Sequence, residues 1–284
     1  MERIDLHTHT LASDGSDTPA AVVQQAAALG LRAVAVMDHD TFAGLPEALA
    51  AGQRCGIEVV PGVELSTVWG GEEVHLLGYF MDTGNAALRA LMTRATDERN
   101  ARNETMVQRL HDAGYPITMD DLHAAFPGQT VLGRPHIAAL LVQRGCIPSV
   151  SDGMRGLLGR GKAFYVPRYN IPLADSIRAL RAAGGVPVVA HIFKYRFDDA
   201  QRTAMLAAAD AGALGVEVRY TTYTPEQTAA AQALAARFGL APSGGSDYHG
   251  LRKPDIALGS GRGGLRVPYA YLAGLKALAG HECV

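Results

Sequence analysis

Cysteine is scarce in this 284-residue chain. Cys55, Cys146 and Cys283 are scattered, odd in number and form no CxxC pair. That pattern argues against a disulfide framework and a cysteine-based zinc knuckle, and suggests reduced thiols in a cytoplasmic protein. No run of about 18 apolar residues occurs, so no transmembrane span is expected. The N-terminus runs straight into a strand-like segment that carries candidate ligands, so no signal peptide is expected. An excess of one charge is lacking too. The 26 Lys and Arg against 28 Asp and Glu leave a formal charge of −2, which gives no bulk drive toward nucleic acid or a membrane surface. Recognition of a nucleotide would have to come from a local cluster of cations. There is no internal repeat and no low-complexity tract beyond Ala-rich helices.

What is present begins with Ile4-Asp5-Leu6-His7-Thr8-His9-Thr10, followed by Asp14-Gly15. On an extended strand, positions i and i+2 point to the same side, so His7 and His9 stand side by side as a divalent-metal pair would. A helix-start signal follows at Thr18-Pro19 and leads into helix from Ala20 to Leu29, stopped by Gly30. Ala33–Met37 is almost purely apolar, the pattern of a strand buried on both faces, and delivers Asp38-His39-Asp40-Thr41 at its end. Helix is expected over Leu45–Arg54 and strand over Ile57–Val60. Pro61-Gly62-Val63-Glu64-Leu65 places Glu64 on or just before another strand, and Val74–Tyr79 is a strand holding His75.

From residue 85 to 165 the chain turns helical and more polar, with Thr93–Ala113 as one long charged helix and shorter ones at Met119–Ala125, Arg134–Gln143 and Ser151–Leu158. This stretch is expected to be a small helical insertion domain carried on the rest, residues 1–84 and 166–284. Strand–helix alternation then resumes, with helices at Pro172–Ala183, Asp198–Ala211, Pro225–Phe238 and Pro268–Leu278. Strands are expected at Val186–His191, Gly215–Arg219 and Leu240–Pro242, the last leading to Ser246-Asp247-Tyr248-His249. Repeated βα units imply a parallel sheet with helices outside. The 48% hydrophobic content is ample for a core, and α/β barrels run to roughly 250 residues as one unit. Such barrels keep their active sites at the C-terminal ends of the strands, where the polar candidates fall.

Those candidates are His7, His9, Asp14, His39, Glu64, His75, His191, Asp247 and His249. Taken singly each has an ordinary explanation: a hydrogen-bonded core histidine for His75 or His191, a turn residue for Asp14. Together, on successive strand ends, they converge on one mouth, where imidazoles and carboxylates so close would be costly unless paired or metal-bound. Nine donors exceed the needs of one ion, and a carboxylate such as Glu64 can bridge two. The mixed set suits Mn²⁺, Fe²⁺ or Zn²⁺. Asp40 is read as an orienting acceptor for His39 or as a cap of the next helix. His111, His123 and His281 are read as surface residues, and Trp69 and Tyr248 as packing. Arg219-Tyr220 ends a strand where it can line the pocket.

The set HTHT…DG, DHDT, PGVE, VHLLGY, AH and SDYH resembles the PHP (polymerase and histidinol phosphatase) family of amidohydrolase-like phosphoesterases. The resemblance implies an α/β fold, a distorted (β/α)₇ barrel, and two or three divalent ions, Mn²⁺ first. It assigns His7, His9, Glu64 and Asp247 to one ion, Glu64, His75 and His191 to a second, and Asp14, His39 and His249 to a third. Asp14, His191 and His249 are further assigned to the chemistry itself. Within the family the chain is most similar to nucleoside 3′,5′-bisphosphate phosphatases and related 5′–3′ exoribonucleases. The segments Gly133–Ala138 and Gly159–Pro167 carry that likeness.

These segments have a physical use. Arg134 stands at a helix start, where a guanidinium beside free backbone N–H groups clamps phosphate. Arg160 and Lys162 flank glycines that let backbone approach an anion. Arg99, Arg102 and Asn103 open the long helix, and His136 is a further candidate donor. The insertion is thus expected to be a substrate-binding cap. The expected reaction is hydrolysis of the 3′-phosphate of a nucleoside 3′,5′-bisphosphate by an ion-activated hydroxide, giving a 5′-mononucleotide. The expected partner is a small nucleotide, with no membrane or protein partner. The alternatives are a 5′–3′ exoribonuclease on short RNA, a histidinol-phosphate-type phosphatase and a non-catalytic metal-stabilised module.

Overall fold

Val34 and Val36 of one apolar strand join a different hydrophobic cluster from Ala33 and Ala35, as period-two alternation requires of a strand buried on both faces. That division runs through the whole sheet. Ile4, Leu6, Met37, Leu77, Tyr79, Val186 and Val188 form an inner cluster. Val63, Leu65, Val74, Leu76, Val189, Val216 and Val218 pack outward with the helices. The computed structural model describes residues 3–129, 131–167, 171–209 and 212–280. Thr130, Asp210, Ala211, His281 and Cys283 lie outside the described residues.

The chain divides into two compact units, Met1–Met92 with Asn170–Val284, and Thr93–Tyr169. In the first unit the strands are β1 (Arg3–Thr8), β2 (Ala33–Val36), β3 (Glu58–Trp69), β4 (Glu72–Tyr79), β5 (Ile171–Pro172), β6 (Val186–Val189), β7 (Gly215–Tyr220), β8 (Ala241–Gly245) and β9 (Val267–Pro268). They follow the order β8-β7-β6-β4-β3-β2-β1-β9, with β5 on β3. His9 N–H donates to Tyr248 O and Asp247 N–H to His7 O, both at 2.8 Å, so the end of β8 returns to β1 and nearly closes a barrel. Helices α1 (Pro19–Ala28), α2 (Leu45–Cys55), α7 (Leu173–Ala182), α8 (Asp199–Ala209), α9 (Pro225–Arg237) and α10 (Tyr269–Leu278) accompany the strands. Thr18 caps α1 by accepting from Ala21 N–H, with Pro19 at the first helical position.

The sheet departs from the expected all-parallel one at the short edge strand β9, antiparallel to β1, and at one hairpin. β3 runs unbroken for 12 residues through Pro61, so Glu64 lies mid-strand rather than at a strand start. The chain turns back at Gly70-Gly71, both at positive φ (56° and 76°), and β4 pairs antiparallel to β3 and to β6. Two glycines between strands supply the twist-matched two-residue turn that other residues adopt only with strain. His75 therefore enters the barrel mouth from the N-terminal half of a reversed strand.

The second unit holds most of α3 (Ala86–Asp112), then α4 (Met119–Ala125), α5 (Arg134–Gln143) and α6 (Val150–Gly156). The long helix starts at Ala86 rather than Thr93 and carries the change of unit inside it. Its core gathers Met106, Leu110, Ile117, Leu122, Ile137 and Leu141.

Gly245 is fixed by packing: a Cβ there would stand 2.3 Å from His7 Cβ and 2.4 Å from His7 N. Overpacking of this kind costs about 1–3 kcal/mol. Gly245→Ala should lower the thermal midpoint and displace His7. Gly274→Ala, exposed in α10 with nothing within 4 Å, should raise it, by about 0.5–1 kcal/mol of stability. Equal midpoints for the two variants would contradict this packing account.

Candidate metal centre

The strands and the turns that follow them deliver the donors by register. His7 and His9 come from β1 and the residue after it, His39 from the turn after β2, Glu64 from β3 and His75 from β4. His191 follows β6, and Asp247 and His249 follow β8. Glu64 pairs with Leu77 and Ser66 with His75, so Glu64 and His75 are diagonal neighbours on one face. His75 Nδ1–H donates to Glu64 Oε1 at 2.7 Å. Of the four described non-glycine residues at positive φ, three stand at these strand ends: Asp40 (52°), His191 (28°) and Asp247 (57°). Such conformations cost about 1–3 kcal/mol each and persist where the surroundings over-determine them.

Three groups of donors lie mutually within 4.8 Å: His9, Asp14, His39 and His249; His7, His9, Glu64 and Asp247; His39, Glu64 and His75. Each group shares a residue with the next. His191 joins the last through Nε2, 3.0 Å from Glu64 Oε1. The nine sequence candidates are thus brought together, with His9 also serving the group of Asp14 and His39 also serving that of Glu64.

The donors fit divalent ions on their own chemistry. His9 is sealed from solvent, yet among the described residues neither of its ring nitrogens has an aligned hydrogen-bond partner. Its Nε2 is 3.0 Å from Glu64 Oε2 and 3.3 Å from Asp247 Oδ1 without hydrogen-bond alignment. Nitrogen and oxygen atoms crowded around one point, rather than aimed at each other, are what a shared cation requires.

Burial opposes charge on all these groups, and their neighbours decide the outcome. Glu64, Asp14 and Asp247 stay well below the usual carboxylate range. Despite burial, His39 and His75 hold Glu64 down, His249 and His39 hold Asp14 down, and Lys253 and His249 hold Asp247 down. Burial pushes His39 down to about 3 and depresses His191 and His249. For His9 burial is overridden by Asp247 and Glu64, and for His75 by Glu64, and both are pushed up to about 9.

A second layer of carboxylates surrounds the donors, and of its members only Asp40 is expected from the sequence. Glu217 of β7 is fully buried; His7 Nδ1–H donates to its Oε1 at 3.1 Å and His191 N–H to its Oε2 at 2.8 Å. Because a carboxylate only accepts, this bond keeps the Nδ1 proton in place and leaves Nε2, 3.2 Å from Glu64 Oε2, as the nitrogen that can exchange its proton for an ion. Asp5 accepts from Ser246 N–H, Ser246 Oγ–H and Gly259 N–H. Asp38 accepts from Thr10 N–H, Thr10 Oγ1–H and Ser13 Oγ–H. Asp40 accepts from Ser66 N–H on β3. Tyr195 accepts from His75 N–H and donates to Ala190 O. Tyr220 lines the centre, donating to Asp247 Oδ2 at 2.6 Å. Tyr248 points away and donates to Asp17, and Trp69 packs edge-on against Phe197 at 5.2 Å.

Comparison with known proteins agrees with this geometry. The PHP domain model matches residues 5–132. A 3′,5′-nucleoside bisphosphate phosphatase from Chromobacterium violaceum is 34% identical over 253 residues, 88% of each chain. The chain belongs to the PHP family. A 5′–3′ exoribonuclease from Haemophilus influenzae is 32% identical to this PHP protein over 249 residues, 87% of this chain and 90% of that one. A solved structure from Bifidobacterium adolescentis, described as a candidate metal-dependent phosphoesterase, superposes with a TM-score of 0.88 at 34% identity, covering 98% of this chain and 96% of that one. The PHP protein is accordingly a metal-dependent hydrolase of phosphate esters with the distorted barrel of its family. Among its described residues no helix is long and apolar enough to cross a membrane.

In its second unit the PHP protein assigns the remaining sequence candidates differently from one another. Arg134 opens α5, half-buried, with its guanidinium carbon 5.7 Å from the centre of the Tyr165 ring. Asn103 is buried and donates to Leu132 O at 2.9 Å, tying down the residues before Arg134. His136 Nδ1 accepts from Gly133 N–H at 2.9 Å, and its ring packs edge-on against Phe126. Arg99 and Arg102 are buried, whereas Arg160, Lys162, His111 and His123 are exposed. Cys55 and Cys146 are free thiols.

Two outcomes follow from the centre. Without ions, His9 and His75 keep protons in the folded protein up to about pH 9, against 6.5 for ordinary histidine. The native state binds more protons in that interval, so ion-free stability should fall as pH rises from 6.5 through 9. The same protons must leave before those imidazoles can ligate, so Mn²⁺ should bind more tightly across the interval. Melting curves with chelator and with Mn²⁺ at both pH values should diverge; an ion-free midpoint that rises with pH would refute the assignment. Glu217→Gln should weaken metal binding by about 10–100-fold in a competition titration with little change in fold.

Proposed function

We propose that this PHP protein hydrolyses the 3′-phosphate of nucleoside 3′,5′-bisphosphates, such as adenosine 3′,5′-bisphosphate, in the cytoplasm. The observation that carries the reading is the chain of three donor groups sharing His9, His39 and Glu64. It supports two or three adjacent divalent ions, Mn²⁺ by preference, held by His7, His9, Glu64 and Asp247, by Glu64, His75 and His191, and by Asp14, His39 and His249. When bound, such ions acidify water and neutralise phosphoryl oxygens. Water adds to phosphorus, the bond to the ribose 3′ oxygen breaks, and that oxygen takes a proton, leaving a 5′-mononucleotide and phosphate.

Asp14 and His249 pair at 3.2 Å, with Asp14 18% exposed at the mouth; in this reading they receive the proton of the attacking water. His191, whose Nε2 stands 3.0 Å from Glu64 Oε1, is taken as a ligand in this reading. Arg134, Arg102, Arg160 and Lys162, on the helical insertion, are proposed to take the 5′-phosphate, while Asn103 and His136 position the α5 start. The bisphosphate-phosphatase relative supports this substrate. The exoribonuclease relative supports short RNA as the second reading, since the same bond class is cut.

Phosphate release by Mn²⁺-loaded protein should be fast from adenosine 3′,5′-bisphosphate and slow from 3′-AMP and 5′-AMP. Arg134→Ala should lower kcat/KM for the bisphosphate by about 10–100-fold, the worth of a charge-assisted bond, and leave the monophosphates within about threefold. Equal rates on all three nucleotides would end the 5′-phosphate reading and send attention to short RNA and histidinol phosphate.

A further inference from the structure

The chain contains four lysines, Lys162, Lys194, Lys253 and Lys276, among its 26 cationic side chains. Two of the four converge on one carboxylate oxygen. Lys253 Nζ donates to Asp247 Oδ2 at 2.7 Å, and Lys194 Nζ stands 3.6 Å from the same atom. The Tyr220 hydroxyl donates to it at 2.6 Å and accepts from Lys194 Nζ at 2.9 Å. The other oxygen of Asp247 faces His9 at 3.3 Å, His249 at 3.5 Å and His7 at 3.7 Å. Asp247 therefore has two sides, one toward the metal donors and one toward two ammonium groups.

Both lysines ride on short turns that leave a site histidine. Lys194 lies three residues after His191, with its N–H bonded to His191 O at 2.8 Å. Lys253 lies four residues after His249, just beyond the turn Gly250–Arg252. Neither is sealed: the Lys253 side chain is 33% exposed and that of Lys194 43%. They thus connect the buried cluster to the solvent from which a substrate arrives.

With ions bound the charge balance does not require both: two divalent ions already outweigh the ionised carboxylates Glu64, Asp14 and Asp247. A second cation at the rim of a cluster built to hold divalent ions is repelled unless an anion enters. Lysine suits that use: a point charge with three donors on a flexible stem can leave one acceptor for another. A tetrahedral phosphoryl group offers the acceptors, and its charge is what such donors stabilise in transfer.

We propose that Lys194 and Lys253, with the Tyr220 hydroxyl between them, form the wall that binds the non-bridging oxygens of the phosphoryl group undergoing hydrolysis and, afterwards, the inorganic phosphate product. The assignment rests on the phosphoesterase reading but not on the identity of the nucleotide. It separates this wall from the insertion's cations, which serve the phosphate that is not cleaved.

The test is calorimetric titration of inorganic phosphate into Mn²⁺-loaded wild type, Lys194→Met, Lys253→Met and Lys253→Arg. Metal content per chain and thermal midpoint are measured on the same samples. Each Met variant should bind phosphate about tenfold more weakly, the worth of one charge-assisted hydrogen bond, with wild-type metal content. Lys253→Arg should recover affinity to within about threefold. Phosphate affinity unchanged within twofold in both Met variants, or falling only in step with metal content, would overturn the proposal by leaving the lysines as props for Asp247. Because phosphate binding is read without turnover, failure of the bisphosphate to be hydrolysed would sink the substrate reading while leaving this result standing.

Discussion

One buried carboxylate organises this molecule. Glu64 is 1% exposed, and five imidazoles reach its two oxygens: His75 at 2.7 Å, His9 and His191 at 3.0 Å, His7 at 3.2 Å and His39 at 3.4 Å. An ionised group in that position is tolerable only because so many partial and full positive charges face it. The arrangement dictates the rest of the sheet. Glu64 must lie deep in a strand, so β3 runs through Pro61 without a break. His75 must approach from beside it, so the strand that carries it is folded back by Gly70-Gly71 and runs antiparallel. His7 and His9 approach from β1, two strands along the sheet from β3, and β1 meets the end of β8 where Gly245 leaves no room for a side chain.

The same constraint explains the outer layer of acidic residues. An imidazole presents one lone pair usefully only when its other nitrogen is engaged, and Glu217 and the Asp247 carbonyl engage those of His7 and His249. Asp5 and Asp38 do not touch the imidazoles in this way. They bond backbone and hydroxyl groups of the loops that bear the ligands, which fixes where Thr10 and Ser246 sit and hence the residues beside them. Strain at His191 and Asp247 belongs to the same economy, since the chain must leave the strand sharply to turn those side chains inward.

Much of the centre was legible because its primary donors sit in short local patterns: two histidines at strand spacing, a histidine or carboxylate just past each apolar run. The barrel was legible for a related reason, as strand-length apolar runs alternate with Ala-rich helices. What escaped is non-local. Glu217 reads as one carboxylate in an apolar strand, and its partner His7 lies 210 residues away; Asp5 and Ser246 are 241 apart. A buried acid in an otherwise apolar strand was the available signal, and it names no partner. The reversal of β4 was signalled by Trp69-Gly70-Gly71-Glu72 between two β-rich runs, a hairpin pattern. On the insertion, Asn103 donates to Leu132 O and His136 Nδ1 accepts from Gly133 N–H, backbone contacts near Arg134 that residue type alone does not announce.

The cluster's energetics bear on what it is for. A set of imidazoles and carboxylates enclosed in a barrel is a poor way to stabilise a fold, because apolar side chains of equal volume would avoid the desolvation cost. A purely structural metal site would also close its donors around one ion. Here three donor groups overlap through shared residues, the sealed His9 has no aligned hydrogen-bond partner for either ring nitrogen among the described residues, and the less enclosed members, Asp14 and His75, lie toward the opening at 18% and 22% exposure. Donors crowded inside, an open side, and two ammonium groups at that opening together describe a site arranged for an incoming anion. The fold bears the cost of that arrangement in buried polarity and backbone strain, and the inner and outer apolar layers of the barrel offset it.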